Sequence, residues 1–158
     1  MNNHLKDRTN RSVFFPVKIG TLELKNRLVF APISLTLGSR ERWDEFLAAR
    51  ARGGVGLVMV ASGMIMRNLP DRGVRLYSDE FIPELRTISS LVHAQGAKVG
   101  IQVHHLGRQN FGWGPALGPS PIPCPVTRLL PRKLTTSEVE DFTGSRRHSH
   151  SGRLQTGK

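Results

Sequence analysis

The feature that most constrains the fold is an apolar run that ends abruptly in polar residues, at residues 98–109. It reads Lys-Val-Gly-Ile-Gln-Val-His-His-Leu-Gly-Arg-Gln. In a parallel sheet that is covered on both faces, strands are continuous apolar runs, and ligands bind outside their carboxyl ends. The run therefore predicts a buried strand whose polar end, from Gln102 onward, presents functional side chains at one rim of a sheet.

The same layout occurs twice upstream. Residues 28–35 form an apolar run that breaks at Pro32 and exposes Ser34, and residues 55–60 form a second run that gives way to the small residues 61–63. Because proline cannot donate a hydrogen bond in a central ladder, Pro32 marks the end of its strand. We therefore expect three strands to deliver functional ends at one rim.

Two segments between these runs have helical periodicity. Residues 42–52 and 79–95 each repeat apolar side chains at spacings of three and four, and Gly53 and Gly96 follow them as helix stops. The order strand, helix, strand, helix, strand predicts right-handed crossovers and an α/β sheet.

The composition limits the chain to one folded unit and excludes several kinds of site. With 158 residues and 38% apolar content, the chain can bury one core. Its single cysteine, Cys124, excludes an internal disulfide and a multi-cysteine metal site, and it fits a reducing cytoplasm. We interpret Cys124 as an inert loop residue because no helix start adjoins it.

No part of the sequence predicts a membrane protein. No stretch approaches the roughly 20 apolar residues that span a bilayer, and the polar first twelve residues lack the core of a signal peptide. We expect residues 1–12 to form a disordered arm, and we expect the protein to be cytoplasmic, with no membrane partner.

The net charge of +11 is spread along the chain and does not form a nucleic-acid-binding motif. Residues 143–158 contribute four positive charges and no acid, while the other basic residues form no dense stripe. This distribution argues against nucleic acid as a partner. One alternative stays open: a short basic protein whose tail binds an anionic partner such as nucleic acid.

Seven sequence blocks follow one another in a fixed order: residues 14–33, 50–57, 77–83, 93–98, 101–109, 120–126 and 134–136. In this order they resemble the old yellow enzyme family of NADH:flavin oxidoreductases, of which the 2,4-dienoyl-CoA reductase-like branch is one form. The resemblance covers about residues 13–142.

This resemblance implies a (β/α)8 TIM barrel that holds FMN at the carboxyl ends of its strands, in agreement with the three predicted strand ends. Residues 13–142 would supply about three βα units. Residues 17–19 and 22–24, joined by Gly20 and Thr21, would form an N-terminal β-hairpin that closes the floor of the barrel.

The resemblance also implies an activity: hydride passes from NAD(P)H to the flavin and then to an activated alkene or a related small-molecule acceptor. Gln102 suits the flavin pyrimidine because a neutral amide both donates and accepts. Ser62 falls where the family has a small residue beside the ring, with Gly63 as a near alternative. Thr36 stands where some members use tyrosine to contact substrate. The full set of implied cofactor-binding residues is Ala31, Pro32, Ile33, Ser34, Ser62 and Gln102.

The two adjacent histidines are a weaker signal. His104 and His105 would point to opposite faces of a strand, so both cannot line one pocket, and we expect no metal site. Arg108 matches the family pattern, and we interpret it as part of a scaffold salt bridge more readily than as an anion ligand.

The rest of the family's machinery is expected beyond the C-terminus. In the family, the proton donor, the substrate-anchoring residues and the phosphate-binding loops come from later strands, so no catalytic residue is assigned within this chain. A complete barrel needs roughly 250 residues, and we therefore expect a fragment that is inactive alone. The dienoyl-CoA reductase-like branch also carries an iron–sulfur cluster and a second domain.

The sequence changes character near residue 142. Residues 143–158 have no apolar period and many helix breakers, which we interpret as a basic tail that is disordered or frameshifted, or the product of truncation. A third alternative is a half-barrel that self-associates, because an open sheet leaves unpaired edges.

Overall fold

The computed structural model describes residues 12–34, 37–66, 73–110, 112 and 114–141. Residues 1–11 of the predicted arm, Thr36 and the predicted tail at residues 143–158 lie outside these ranges, and Ser12 begins a 3-10 turn (Ser12–Phe14). The chain divides into two compact units, one of Met1–Ser62 with Pro83–Gln102, the other of Gly63–Ile82 with Val103–Lys158. No helix in the described ranges is long and apolar enough to cross a membrane.

A small hairpin opens the first unit. Strands β1 (Val17–Ile19) and β2 (Leu22–Leu24) pair antiparallel, with Val17 opposite Leu24. The turn passes through Gly20 at φ +58°, a conformation that glycine adopts without the steric penalty of a Cβ. This hairpin has the bounds that the sequence predicted.

The first parallel pair joins β3 (Val29–Phe30) to β4 (Leu57–Met64), and helix α1 (Arg40–Arg52) lies between them in the chain. The Ser39 Oγ accepts a hydrogen bond from the Arg42 backbone N at 3.4 Å, so α1 begins two residues before the predicted start. The buried face of α1 consists of Trp43, Leu47, Ala48 and Ala51.

A second crossover follows. Strand β5 (Val74–Arg75) pairs in parallel with the end of β4, and a 3-10 turn (Asp79–Phe81) leads into helix α2 (Ile82–Ala94). Strand β6 (Lys98–His104) pairs with β4. The predicted helix at residues 79–95 is therefore confirmed in place, with its first turn wound as 3-10.

Backbone bonds mark both ends of the β4–β6 pairing. The Lys98 N donates to the Gly56 O at 2.9 Å, and the Ile65 N donates to the His104 O at 3.3 Å, so the two strands run in the same direction. Because β4 has eight residues and β6 has seven, β4 carries one extra residue, as at a β-bulge. Strand β4 also extends through Ser62, beyond the predicted end at Val60.

The second unit closes with short elements. Strand β7 (Leu117–Gly118) pairs in parallel with β8 (Arg132–Lys133), and residues 136–141 are helical. Cys124 is buried in the intervening loop, and hydrogen bonds from Thr127 lower the pKa of its thiol. Among the described residues, β3, α1, β4, α2 and β6 thus follow one another in the predicted α/β order.

Candidate functional site

Ser34 and Ser62 meet just beyond the first parallel pair. Their hydroxyl oxygens are 2.7 Å apart. Phe30 lies opposite Val58 in the ladder, an offset of 28 residues, and the Ser34–Ser62 pair has that same offset. The segment after β3 thus stays in register with β4 past Pro32, although it no longer forms part of the strand.

Gln102 lies at the same level on the neighbouring strand. Ser62 and Gln102 each stand two residues before the last residue of their strands, and those strand ends are hydrogen-bonded through Ile65 and His104. Adjacent strands in a sheet are about 4.8 Å apart. The structure therefore places the three residues that the sequence singled out near the carboxyl ends of neighbouring strands.

These side chains differ in their exposure to solvent. Ser62 is buried, with 5% of its surface exposed, whereas the Ser34 and Gln102 side chains are exposed. Ala31 and Ile33 are exposed and Pro32 is half-buried, all on the segment that follows β3. Thr36, the predicted substrate contact, lies outside the described residues.

The segment that leads into β3 is held by a residue that the sequence analysis missed. Asn26 is buried; its Nδ2 donates to the Gly54 O at 2.7 Å, and its Oδ1 accepts from the Leu28 N at 3.1 Å. One side chain thus ties the start of β3 to the loop that precedes β4. An asparagine two residues before an apolar run is typical of a side chain that bonds the backbone two residues ahead, and that signal could have identified it.

The two histidines occupy different environments in the second unit. His104 ends β6, and His105 lies beyond the strand, where its Nδ1 accepts from the Gly107 N at 2.9 Å. Burial, and then the electrostatic effect of His104, lowers the pKa of His105. Because its Nδ1 accepts, the neutral ring carries its proton on Nε2. Within the described ranges, no cluster of three or more histidine, cysteine or acidic residues could hold a metal ion.

Arg108 has a scaffold contact. Its Nη1 donates to the backbone carbonyl of Pro123 at 3.4 Å, within the second unit. Within the described residues, Arg108 makes this bond to the main chain and not the predicted salt bridge. The contact ties the turn after β6 to the loop that contains Cys124.

The edge that carries Ser34, Ser62 and Gln102 has a defined chemistry. All three side chains are uncharged, a hydroxyl donates one proton and accepts, and an amide does both through separate atoms. Such a set binds a planar polar ligand by hydrogen bonds without placing a charge beside it.

Comparison with known proteins identifies the family. Residues 12–141 match the NADH:flavin oxidoreductase / NADH oxidase family. The chain is 36% identical to a metal reductase of Desulforamulus reducens, covering 84% of this chain and 21% of that protein. It is 33% identical to an NADH oxidase of Thermoanaerobacter brockii, covering 83% and 22%. It is 31% identical to an NADPH dehydrogenase of a Geobacillus species, covering 89% and 45%. The chain thus spans between about a fifth and just under half of the length of these relatives.

Solved structures agree on the fold. Old Yellow Enzyme from Pichia sp. AKU4542 superposes with a TM-score of 0.74 at 22% identity, covering 91% of this chain and 43% of that one. The 6-hydroxypseudooxynicotine amine oxidase from Pseudomonas geniculata superposes with a TM-score of 0.71 at 28% identity, covering 87% and 22%. The predicted fold, the amino-terminal part of a (β/α)8 barrel, is confirmed. The chain belongs to the NADH:flavin oxidoreductase / NADH oxidase family.

Proposed function

We propose that this chain supplies the ring-facing edge of the flavin site in an FMN-dependent NAD(P)H oxidoreductase. In the whole protein, hydride passes from NAD(P)H to FMN and then to a small-molecule acceptor of the activated-alkene class. A reduced nicotinamide cofactor is produced inside cells, and we place the protein in the cytoplasm. Family membership supports the reaction class, and the edge geometry supports the residues.

The observation that carries this proposal is the juxtaposition of Ser34, Ser62 and Gln102 at the carboxyl ends of neighbouring parallel strands. In barrels of this type, that end of the sheet is where ligands bind. The residues fit the flavin ring because the Gln102 amide is exposed and has no side-chain hydrogen bond within the described residues. Its donor and acceptor atoms are therefore available to the carbonyl and nitrogen edge of a pyrimidine.

Each residue has a separate part in binding. The flavin supplies reversible two-electron chemistry when it is bound. Gln102 orients the polar edge of the ring, and the exposed segment Ala31–Ile33 offers a surface to its face. Ser34 presents a hydroxyl. None of these groups ionises near neutral pH, so none fixes a charge beside a ring whose own charge changes during turnover.

Replacing Gln102 by alanine tests this assignment. We expect Gln102→Ala to weaken FMN binding about tenfold, since it removes both hydrogen bonds of one amide. Titration of the chain with FMN, followed by NMR, measures dissociation constants into the millimolar range.

The matched control is Gln95→Ala, which removes the same amide from the end of α2 and keeps the backbone carbonyl that Lys25 contacts. This variant should bind FMN like the wild type. Equal FMN affinity for wild type and Gln102→Ala would overturn the site assignment, and no binding by the wild-type chain would overturn the proposal for this chain.

A further inference from the structure

We infer that Ser62 is a positioning residue that holds the Ser34 hydroxyl as a hydrogen-bond donor toward the flavin. This inference rests on the proposed function and changes the expected role of Ser62. The resemblance implied only that residue 62 is small enough to leave room for the ring. In this inference, Ser62 also acts on the flavin through Ser34.

The hydrogen bond between Ser34 and Ser62 joins an exposed hydroxyl to a buried one. The two Oγ atoms are 2.7 Å apart, Ser62 is 5% exposed, and Ser34 is exposed. Within the described residues, Ser34 is the hydrogen-bond partner that the structure gives the Ser62 hydroxyl. Ser62 sits within β4, the strand that pairs with β3, β5 and β6, whereas Ser34 lies on a segment outside any strand. The buried member is therefore the fixed one.

The burial of Ser62 decides which of the two hydroxyls donates the hydrogen bond. A hydroxyl has one proton, and a buried donor without an acceptor costs the desolvation of that donor. If Ser34 donated to Ser62, the Ser62 proton would have no acceptor among the described residues. If Ser62 donates, its proton is satisfied and the exposed Ser34 keeps its own proton for another partner. Ser62 is accordingly the donor.

Hydrogen-bond cooperativity makes the Ser34 hydroxyl a stronger donor. A hydroxyl that accepts a hydrogen bond becomes a better donor, because the bonds in a chain polarise one another. Ser34 thus presents a strengthened O–H toward a ligand that lies over the edge. A flavin gains electron density on reduction, so a donor beside it binds the reduced form more tightly than the oxidised form. Ser62 should raise the reduction potential of bound FMN, although it does not touch the ring.

A double-mutant cycle tests this coupling. We expect Ser62→Ala to lower the ratio of reduced to oxidised FMN affinity about fivefold, the effect of one ordinary hydrogen bond, or about 20 mV for a two-electron couple. Ser34→Ala should lower the ratio at least as much, and the double variant no more than Ser34→Ala. Additive effects, or no effect of Ser62→Ala, would overturn the inference. Ser62→Cys, which keeps the shape with a weak donor, gives the same test if the alanine variant fails to fold.

A second measurement does not depend on the flavin. In flavin-free protein, the Hα–Hβ couplings of Ser34 should indicate one χ1 rotamer in the wild type and rotamer averaging in Ser62→Ala. Ser89→Ala is the matched control: it removes another buried serine hydroxyl, one that bonds to His93, and it should leave the Ser34 couplings unchanged.

The two measurements distinguish a failure of the positioning role of Ser62 from a failure of the proposed function. Ser34 couplings that are the same with and without Ser62 would overturn the positioning role even if FMN binds. If the wild-type chain binds no FMN, the proposed function fails, and the couplings still decide whether Ser62 orients Ser34.

Discussion

Glu138 shows how strongly one side chain can be held by its neighbours. Arg132 donates to both of its carboxylate oxygens, at 2.7 and 3.0 Å, and the Thr135 N donates to Oε2 at 2.8 Å. The Glu138 N in turn donates to the Thr135 Oγ1 at 3.2 Å, which completes a capping box at the start of the helix at residues 136–141. The Arg132 hydrogen bond above all, and then the Thr135 backbone, lowers the pKa of Glu138 to about 2.

This arrangement predicts a pH dependence. Because the folded-state pKa of Glu138 is depressed, the stabilisation is complete above the ordinary carboxyl pKa of 4.5 and is lost as the pH falls toward about 2. An NMR titration of the side-chain carboxyl should give a pKa near 2 in the wild type and a clearly higher one in Arg132→Ala, still below the ordinary value because the Thr135 hydrogen bonds remain. Lys133→Ala, which removes a neighbouring positive charge, should leave the low pKa in place. An ordinary pKa in the wild type would contradict the capping geometry.

Among the structural elements, close contacts between neighbouring segments determine where a glycine is required. A Cβ at Gly56, just before β4, would lie 2.6 Å from the Asn26 backbone O and 2.8 Å from its Oδ1. A Cβ at Gly100, inside β6, would lie 2.6 Å from the Met59 Sδ. The first neighbour is backbone and cannot move without shifting the segment, whereas the second is the end of a flexible side chain.

The two glycines should therefore respond differently to the same substitution. We expect Gly56→Ala to lower the free energy of unfolding by about 3 kcal/mol through overpacking, and Gly100→Ala to lower it by less than about 1 kcal/mol. Urea denaturation of the two variants measures both values, and each serves as the control for the other. Equal losses would mean that the loop before β4 adapts as readily as the Met59 side chain.

The sequence predicted the elements well where a local signal existed. The hairpin at residues 17–24 follows from alternation and a glycine turn, and α2 follows from its apolar stripe. Strand β4 was predicted too short because the residues after Val60 are small and polar, and pairing with β5 and β6 overrides that weak preference. The apolar stripe predicted within residues 79–95 includes Leu91, yet the Leu91 side chain is 37% exposed, while the polar Ser89 is buried in α2.

With about three βα units, the sheet of the molecule keeps open edges, that is, strands with a neighbour on one side only. Within the described residues, β3 and β6 each pair with β4 alone. Val29 on β3 is 47% exposed and Val103 on β6 is 46% exposed. Unpaired strand edges with exposed apolar side chains are templates for pairing with another chain.

We therefore expect the chain to self-associate through these edges. Sedimentation velocity should show the sedimentation coefficient rising with concentration, and Val29→Lys and Val103→Lys should each reduce that rise, because a charge on an edge strand opposes pairing. Val126→Lys adds the same charge at a loop valine that is 77% exposed, and it should have no such effect. A monomer at every concentration, or an equal effect of all three variants, would rule out association through the edges.

Local properties of the chain are enough to establish the α/β order, the family and the residue types at the candidate site, because these follow from apolar periodicity, glycine turns and the ordered blocks at residues 14–136. The hydrogen bond between the Ser34 and Ser62 hydroxyls, the burial of Ser62 and the bonds of Asn26 at the start of β3 emerge only when the chain is folded. All three depend on strand register and on close approach between distant segments, which no local pattern of residues encodes.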